Sequence, residues 1–330
     1  MKKLYILASL LVATFTFAQQ APPFYEGFNY TAGATLQTQP NWTVLNTGDD
    51  LLIAAPSLTY TGLPASTGNK VTFGGAGIDS TKDLAAQTTG SVYYSFLLNV
   101  TDLTAVTSTT GGYCTGFIST GSTFGATLWL KKVDATTFNI GVNPRTTAAN
   151  TAFSATAYTT ATTYLVVVNY TFNASTGDDV VKLWVNPTLG GAEPTESAMA
   201  TNTGGTDLSQ VAKFLVRQGS ATDTPNVELD ELRIATNWTD ATSTTVALKV
   251  DQNSISGLSV YPNPVKNGVF YINTNANAER TVTVFDVLGK QVLNTTTSQS
   301  AINVSSLNAG VYMVQISEEG NTATKKLVIE

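Results

Sequence analysis

The feature that most constrains this chain is the alternation of apolar and polar residues in one segment after another. Residues 91–101, 164–172 and 180–186 show it over their whole length. Such alternation predicts β-strands with one face in a core, and no stretch of the chain has a convincing helical period. The apolar faces comprise Val92, Tyr94, Phe96, Leu98 and Val100, then Tyr164, Val166, Val168, Tyr170 and Phe172, then Val181, Leu183 and Val185.

The segments between these strands are typical of hairpin turns. Residues 173–179 contain turn formers and a glycine, and they join two of the strands above. A second hairpin is predicted for strands 127–133 and 137–142, which turn at residues 134–136, and further strands are predicted at 213–218 and 227–234. Many strands over more than 200 residues predict an all-β fold with a large two-sheet jelly-roll sandwich, with a barrel as the alternative.

Composition excludes several chemistries. The 330 residues include no histidine, which excludes a Ser-His-Asp triad, a Cys-His pair, a histidine general base and zinc sites that need histidine. Cys114 is the single cysteine, so the chain has no intrachain disulfide, and we expect it to be a small buried hydrophobe. The net charge of −6 with no basic stripe argues against nucleic acid as a partner.

The first residues have the pattern of a signal peptide. Lys2 and Lys3 precede an apolar run, and Thr16 and Ala18 occupy the two positions that signal peptidase reads. We therefore expect cleavage between Ala18 and Gln19, and no transmembrane segment after signal removal. The predicted organisation is a signal peptide at 1–18, a β-domain at 22–238, a linker at 239–256 and a small β-domain at 257–330.

The C-terminal segment carries four motifs in order. They are Leu258–Pro264 (LSVYPNP), Val282–Lys290 (VTVFDVLGK), Leu307–Tyr312 (LNAGVY) and Lys325–Glu330 (KKLVIE). Together they resemble the type A C-terminal sorting domain of the type IX secretion system. About seven short strands would form a small Ig-like β-sandwich. The resemblance implies the secretion machinery as a partner, and a secreted protein that is extracellular or attached to the outer cell surface. In that family the domain is usually removed during translocation.

The large domain carries weaker motifs. They are residues 28–36 (FNYTAGATL), 164–170 (YLVVVNY), 183–187 (LWVNP) and 229–234 (LDELRI). This pattern resembles the laminin-G-like, concanavalin A-like jelly roll of secreted bacterial proteins. The resemblance implies a fold that often contacts carbohydrate or takes part in adhesion, and that sometimes cleaves glycans.

A catalytic hypothesis has to rest on carboxylates because histidine is missing. Glu228 and Asp230 share one face of a strand and are the residues that we would assign to a glycosidase, although the position of a further acid is taken by Leu232 and Arg233. We expect Glu231 and Arg233 to pair as ordinary surface charges. A glycan-degrading enzyme of concanavalin A-like fold is therefore an alternative, and a non-catalytic role is preferred.

A binding hypothesis needs flat aromatic surface beside amide and charged groups. Trp129 and Trp184 point away from the apolar faces of their strands, so they are candidate stacking platforms, with core packing as the other interpretation. Asn143, Arg145 and Arg217 are candidate hydrogen-bonding partners of a glycan or surface polymer. The third class of function is a structural surface protein with no small ligand.

No cofactor is predicted, with calcium left open. The acidic turns Asp49–Asp50 and Asp178–Asp179 offer the hard oxygen ligands that calcium prefers. Neither turn has the ordered spacing of a calcium loop. We therefore expect solvated turns at both places.

Overall fold

The computed structural model describes residues 19–119, 121, 123–203, 206–244, 255, 257–276, 278–318 and 321–330. The predicted signal peptide and most of the predicted linker lie outside the described residues. The chain divides into two compact units, residues 1–247 and 248–330. The described residues include no helix that is long and apolar enough to cross a membrane.

The regular secondary structure of the large unit is almost entirely β-strand, as the alternation predicts. In the described residues they are β1 (Phe24–Glu26), β2 (Trp42–Val44), β3 (Leu52–Ala54), β4 (Lys70–Phe73), β5 (Ser80–Gln87), β6 (Ser91–Asp102), β7 (Gly112–Ile118), β8 (Phe124–Lys132), β9 (Thr137–Asn143), β10 (Ala152–Phe153), β11 (Tyr158–Thr159), β12 (Thr163–Thr171), β13 (Val180–Val185), β14 (Ala198–Thr201), β15 (Val211–Val216) and β16 (Asn226–Ala235). The helical segments are two short 3-10 turns, Leu36–Thr38 and Ala148–Asn150, and α1 (Trp238–Ala241).

These strands form two open sheets rather than a closed barrel. The first sheet has the order β14-β13-β12-β6-β16-β4-β3, with β1 also paired to β16. The second sheet has the order β10-β9-β8-β7-β15-β5-β2, with β11 also paired to β9. Both predicted hairpins, β8–β9 and β12–β13, are confirmed as antiparallel pairs. The fold is the predicted all-β jelly-roll sandwich.

The core lies between the two sheets and contains the predicted apolar faces. Tyr94 is an example: its ring meets Phe117 and Phe214 of the second sheet edge to face, at centroid distances of 5.0 and 5.4 Å. Its hydroxyl donates to the Ala126 carbonyl at 2.7 Å, so the one polar atom of this buried ring has a partner. Cys114 is also buried in this core, as predicted.

A second apolar cluster covers the outer face of the first sheet. Tyr93 and Leu97 of β6 lie beneath segment 56–63, Leu189 and helix α1, which we call the cover. Asn237 caps α1 by accepting from the Asp240 backbone N–H. The described residues of the large unit thus continue past residue 238, since Ala241 is buried in this cluster and its carbonyl accepts from the Ser95 hydroxyl. The predicted linker therefore begins too early at residue 239.

The second unit consists of a three-stranded and a four-stranded sheet, the predicted small Ig-like sandwich. In the described residues its strands are β17 (Ser259–Tyr261), β18 (Val269–Asn273), β19 (Arg280–Phe285), β20 (Gln291–Thr297), β21 (Ala301–Asn303), β22 (Gly310–Glu318) and β23 (Asn321–Ile329). Tyr312, Val314 and Ile316 of β22 face its core, as their alternation predicts. Asn263, between the two prolines of the first motif, accepts from the Val328 N–H and donates to the Lys326 carbonyl of β23.

Because each unit has its own core, truncating a core ring should weaken only the unit that contains it. Phe96 is fully buried in the large unit, so Phe96→Ala is expected to lower its free energy of unfolding by about 3–5 kcal/mol. Tryptophan fluorescence during urea unfolding measures this, because all four tryptophans lie between residues 42 and 238. The matched control is Phe270→Ala in the second unit, which should leave the urea midpoint of the fluorescence transition unchanged. A midpoint that moves with Phe270→Ala instead would contradict the assignment.

Candidate functional site

Trp184 is not an exposed platform. Its side chain points away from the core, as the alternation predicts, but it is only 1% exposed because the cover lies over it. Its ring centroid lies 4.9 Å from that of Trp238, and its indole N–H donates to the Pro194 carbonyl at 2.9 Å. A ring held in this way presents no face to a sugar, so the predicted exposure of Trp184 is wrong.

Glu228 and Asp230 also lie on the outer face of the first sheet, where protein groups occupy their oxygens. Glu228 contacts the Lys70 ammonium at 2.7 Å and accepts from the Asn99 amide at 2.8 Å. Asp230 is fully buried and accepts from the backbone N–H groups of Leu58 and Glu231. This arrangement ties the cover to β16 and gives the oxygens of both carboxylates partners within the protein.

Glu231 and Arg233 pair as predicted, but in a buried position rather than at the surface. Their side chains are 3% and 8% exposed, and the Arg233 Nη2 to Glu231 Oε2 distance is 3.0 Å. The register of β16 shifts between Asp230 and Arg233, and Glu231 has a φ of 55°, so this is a β-bulge. Tyr25 completes the cluster by donating its hydroxyl to Glu231.

Asn143 and Arg145 organise a loop. Asn143 is fully buried; its amide donates to the Thr147 carbonyl and the Thr151 hydroxyl, and its oxygen accepts from the Arg145 N–H. Arg145 donates through its side chain to the carbonyls of Phe124 and Thr206. Asn143 is therefore engaged within the loop rather than exposed at the surface, and its predicted contact with a glycan stays a prediction.

Trp129 and Arg217 are brought together on the outer face of the second sheet by a residue that the sequence reasoning did not single out. Tyr113 of β7 lies directly opposite Trp129 of β8, with ring centroids 5.6 Å apart. The Arg217 guanidinium lies 4.0 Å from the centroid of Tyr113 and donates to the Tyr113 carbonyl. Trp129 is 4% exposed, whereas Tyr113 and Arg217 are partly exposed.

The row of rings continues across the sheet to β10. Gly141 of β9 pairs with both Trp129 and Phe153, which places all three on one face. A Cβ at Gly141 would lie 2.6 Å from Phe153 Cδ1, so the absence of a side chain there lets the Phe153 ring lie over β9. The Lys131 ammonium lies 5.2 Å from the Phe153 centroid. We call Arg217, Tyr113, Trp129, Phe153 and Lys131 the aromatic row.

The polar groups around the aromatic row are mostly satisfied by one another. Asp79 lies 3.8 Å from Arg217 Nε and accepts from the Gln218 N–H; burial raises the pKa of Asp79, against the lowering effect of both partners. Lys213 and Asp83 pair at 2.8 Å on the same face. Burial also raises the pKa of Tyr113, with Arg217 opposing the rise, so the Tyr113 hydroxyl is protonated at neutral pH.

One predicted acidic turn belongs to a larger carboxylate group. Oxygens of Asp178, Asp179 and Asp207 lie within 4.8 Å of one another. Asp207 accepts from the Asn202 amide and from the backbone N–H groups of residues 177–179. Burial acts to raise the pKa of Asp207, but these hydrogen bonds hold it below its ordinary value. Asp207 therefore fixes the β12–β13 turn, and a cation would have to compete with these donors.

The other predicted acidic turn is also used by the protein. The Asp50 side chain accepts from the Gln37 amide, and the Asp49 backbone carbonyl accepts from the Gln218 amide. Both residues are exposed. This turn is an exposed, hydrogen-bonded loop.

Comparison with known proteins assigns the second unit. Residues 259–330 match the family described as secretion system C-terminal sorting domain. This confirms the resemblance of the C-terminal motifs. The second unit is therefore a sorting domain of the type IX system, and the chain is an exported protein, extracellular or attached at the outer cell surface.

The other similarities are more distant. The chain is 28% identical to ulvan lyase NLR42 of Nonlabens ulvanivorans over 127 residues, which is 37% of this chain and 22% of that protein. Domain 4 of AbnA, a GH43 extracellular arabinanase from Geobacillus stearothermophilus in complex with arabinotriose, has a TM-score of 0.35 at 13% identity, over 61% of this chain and 87% of that one. The Ca2+/Man-bound exoplasmic/lumenal domain of VIP36 has a TM-score of 0.31 at 10% identity, over 61% and 88%.

Buried Asp230 should make the stability of the large unit depend on pH. Burial raises the pKa of Asp230 from 3.8 to about 8, against the lowering effect of its backbone hydrogen bonds. Between these values the folded state binds more protons than the unfolded state, so the free energy of unfolding falls as pH rises, by at most about 1.4 kcal/mol per pH unit. Asp230→Asn removes this titration, so its stability relative to wild type should improve from pH 4 to pH 8.

Urea unfolding at several pH values, with tryptophan fluorescence, measures that difference. Repeating the series at high ionic strength screens interactions between exposed charges, so the pH dependence that remains comes mainly from the buried Asp230 carboxyl. A difference between Asp230→Asn and wild type that is the same at every pH would contradict the raised pKa.

If Asp207 fixes the turn by accepting hydrogen bonds, Asp207→Ala should destabilise the large unit by about 1–3 kcal/mol, because it strands several donors. Thermal unfolding of wild type in calcium and in chelator should give the same melting temperature. A melting temperature that rises with calcium in wild type, but not in Asp207→Ala, would show instead that these carboxylates bind the ion.

Proposed function

We propose that the large unit is a non-catalytic glycan-binding module and that the aromatic row is its binding surface. The observation that carries the proposal is the alignment of Tyr113, Trp129 and Phe153 across neighbouring strands of one sheet face, with Arg217 and Lys131 over the outer rings. Partly exposed rings beside hydrogen-bonding groups suit the apolar faces and hydroxyls of sugars. Trp129, at 4% exposure, packs beside Tyr113 rather than forming the contact surface itself.

The charges of this face favour a glycan with little charge. Arg217 and Lys213 already have carboxylate partners in Asp79 and Asp83, and the whole chain carries a net charge of −6. A polyanion would have to disrupt those pairs and approach an acidic protein. Neutral hydroxyl groups can instead accept from Arg217 and from the Tyr113 hydroxyl without disturbing them.

The organisation of the chain supports the same proposal. We infer that residues 1–18 are a signal peptide cleaved before Gln19, that the large unit is a jelly roll of the laminin-G-like type, and that the sorting domain delivers it outside the cell. The similarity to an ulvan lyase and to a domain crystallised with arabinotriose fits a glycan-related role.

Retention of the chain without its predicted signal peptide on insoluble polysaccharides tests this proposal. The panel should include neutral and acidic polymers, with calcium and with chelator, and the supernatant should be assayed for released sugar. Tyr113→Ala and Phe153→Ala are each expected to weaken retention about tenfold, because each removes a ring that stacks on the ligand. Tyr60→Ala, a partly exposed ring in the cover of the other sheet, is the matched control.

Each outcome of this experiment separates two classes of function. Retention that Tyr113→Ala and Phe153→Ala leave unchanged would contradict the aromatic row as the site. Sugar released into the supernatant would make the protein an enzyme, the alternative for which Glu228 and Asp230 are the residues to replace first. No retention on any polymer would favour a structural surface protein.

A further inference from the structure

The sorting domain exposes apolar side chains to an unusual extent. It carries more than half of the exposed large apolar residues among the described residues, although it is less than a quarter of the chain. They are Tyr261, Tyr271, Val287, Leu288, Val311 and Met313. Val287 and Leu288, at 75% and 90% exposure, are the two most exposed of the set. Contiguous apolar surface of this kind marks a site of contact with a protein or membrane.

Four of these residues lie with Phe285 at one end of the four-stranded sheet. In the β19–β22 pair Phe285 lies directly opposite Met313, so both side chains lie on the face away from the core residue Val284. Val311 lies two residues from Met313 on the same face, in the direction of the β19–β20 turn that carries Val287 and Leu288. We call Phe285, Val287, Leu288, Val311 and Met313 the hairpin surface.

The backbone of the β19–β20 turn is fixed by hydrogen bonds that leave its apolar side chains exposed. Asp286 Oδ1 accepts from the backbone N–H groups of Leu288 and Lys290, at 2.9 and 3.0 Å. The Asp286 carbonyl accepts from Gly289, whose φ of 81° favours glycine. These bonds fix the backbone without using the side chains of Val287 and Leu288, which are left facing outward.

The rim of the hairpin surface is basic. Lys290 is exposed at the end of the turn, and Lys326 of β23 is exposed directly opposite Met313. The carboxylate of Asp286 is partly engaged by the turn itself. A complementary partner would therefore present an apolar groove edged by carboxylates.

We propose that the hairpin surface is the site at which a receptor protein of the type IX secretion machinery binds this chain. The sorting function of residues 259–330 identifies the partner, and the exposed apolar tip with its basic rim identifies the part of the domain that the receptor contacts. Leu288 is the anchor of the contact, because it lies at the tip and is the most exposed large apolar side chain in the part of the chain that the structure describes. The inference does not depend on what the large unit binds.

Export of the full chain from a bacterium with a type IX system tests this proposal. Leu288→Lys places a charge in the apolar contact at a position too exposed to matter for folding, and is expected to reduce the exported fraction at least about tenfold. Lys290→Glu should reduce it as well, because it inverts the charge of the rim. Val133→Lys is the matched control, since Val133 is an exposed apolar residue, at 53%, beside the β8–β9 turn of the large unit.

A benzophenone side chain at position 288 provides a second measurement that does not depend on the stability of a variant. Its crosslink to an identified component of the secretion system, absent when the probe is at position 133, is the expected result. Export of Leu288→Lys at the wild-type rate would overturn the proposal. So would a position-288 crosslink only to a second copy of the chain, which would make the hairpin surface a self-association site.

Discussion

The central strand β6 is buried on both of its faces. This burial determines which sheet of the large unit keeps an outer face at the surface. The inner row of β6, which includes Tyr94 and Phe96, lies in the core between the sheets, and its outer row, which includes Tyr93 and Leu97, lies under the cover. A sheet that is covered on both sides offers no broad face to a ligand. The second sheet bears Tyr113 and Phe153 in partly exposed positions on its outer face, so this sheet presents a row of aromatic side chains at the surface.

Alternation in the sequence was sufficient to predict seven of the strands that build the core, namely β6, β8, β9, β12, β13, β15 and β16, because the inner row of each strand is set by residues that are close in sequence. The same alternation correctly turned Trp184 away from the core. It could not show what lies over that side chain, because most of the cover comes from segment 56–63 and from α1, which are far from Trp184 in the sequence. Whether an outward-facing ring is exposed is a property of the tertiary structure, so a local pattern cannot decide it.

Two interruptions of the strand period explain why the sequence did not reveal Tyr113 and why it misplaced the Glu231–Arg233 pair. The register of β7 shifts twice between Tyr113 and Phe117, so its apolar residues do not alternate cleanly and Tyr113 did not stand out. In β16 the bulge at Glu231 places the charged side chains of Glu231 and Arg233 in a buried position, whereas the sequence predicted that they lie at the surface. In both strands an extra residue re-aims the side chains that follow, and the sequence shows this only as a weaker pattern.

The sorting domain could be recognised from short motifs because those motifs are largely local structures. The Asp286 carboxylate accepts from residues two and four positions later, and the Tyr312 hydroxyl donates to the carbonyl of Asn308, four positions earlier. Such contacts fix the backbone of a turn wherever the motif occurs. The aromatic row is the opposite case, since its residues come from three strands and from the residue after β15, and they acquire a common face only when the strands of the sheet pair. The sorting domain can thus be recognised from short sequence motifs. The surface proposed to bind a ligand depends instead on how the strands of a whole sheet pair, which no short motif shows.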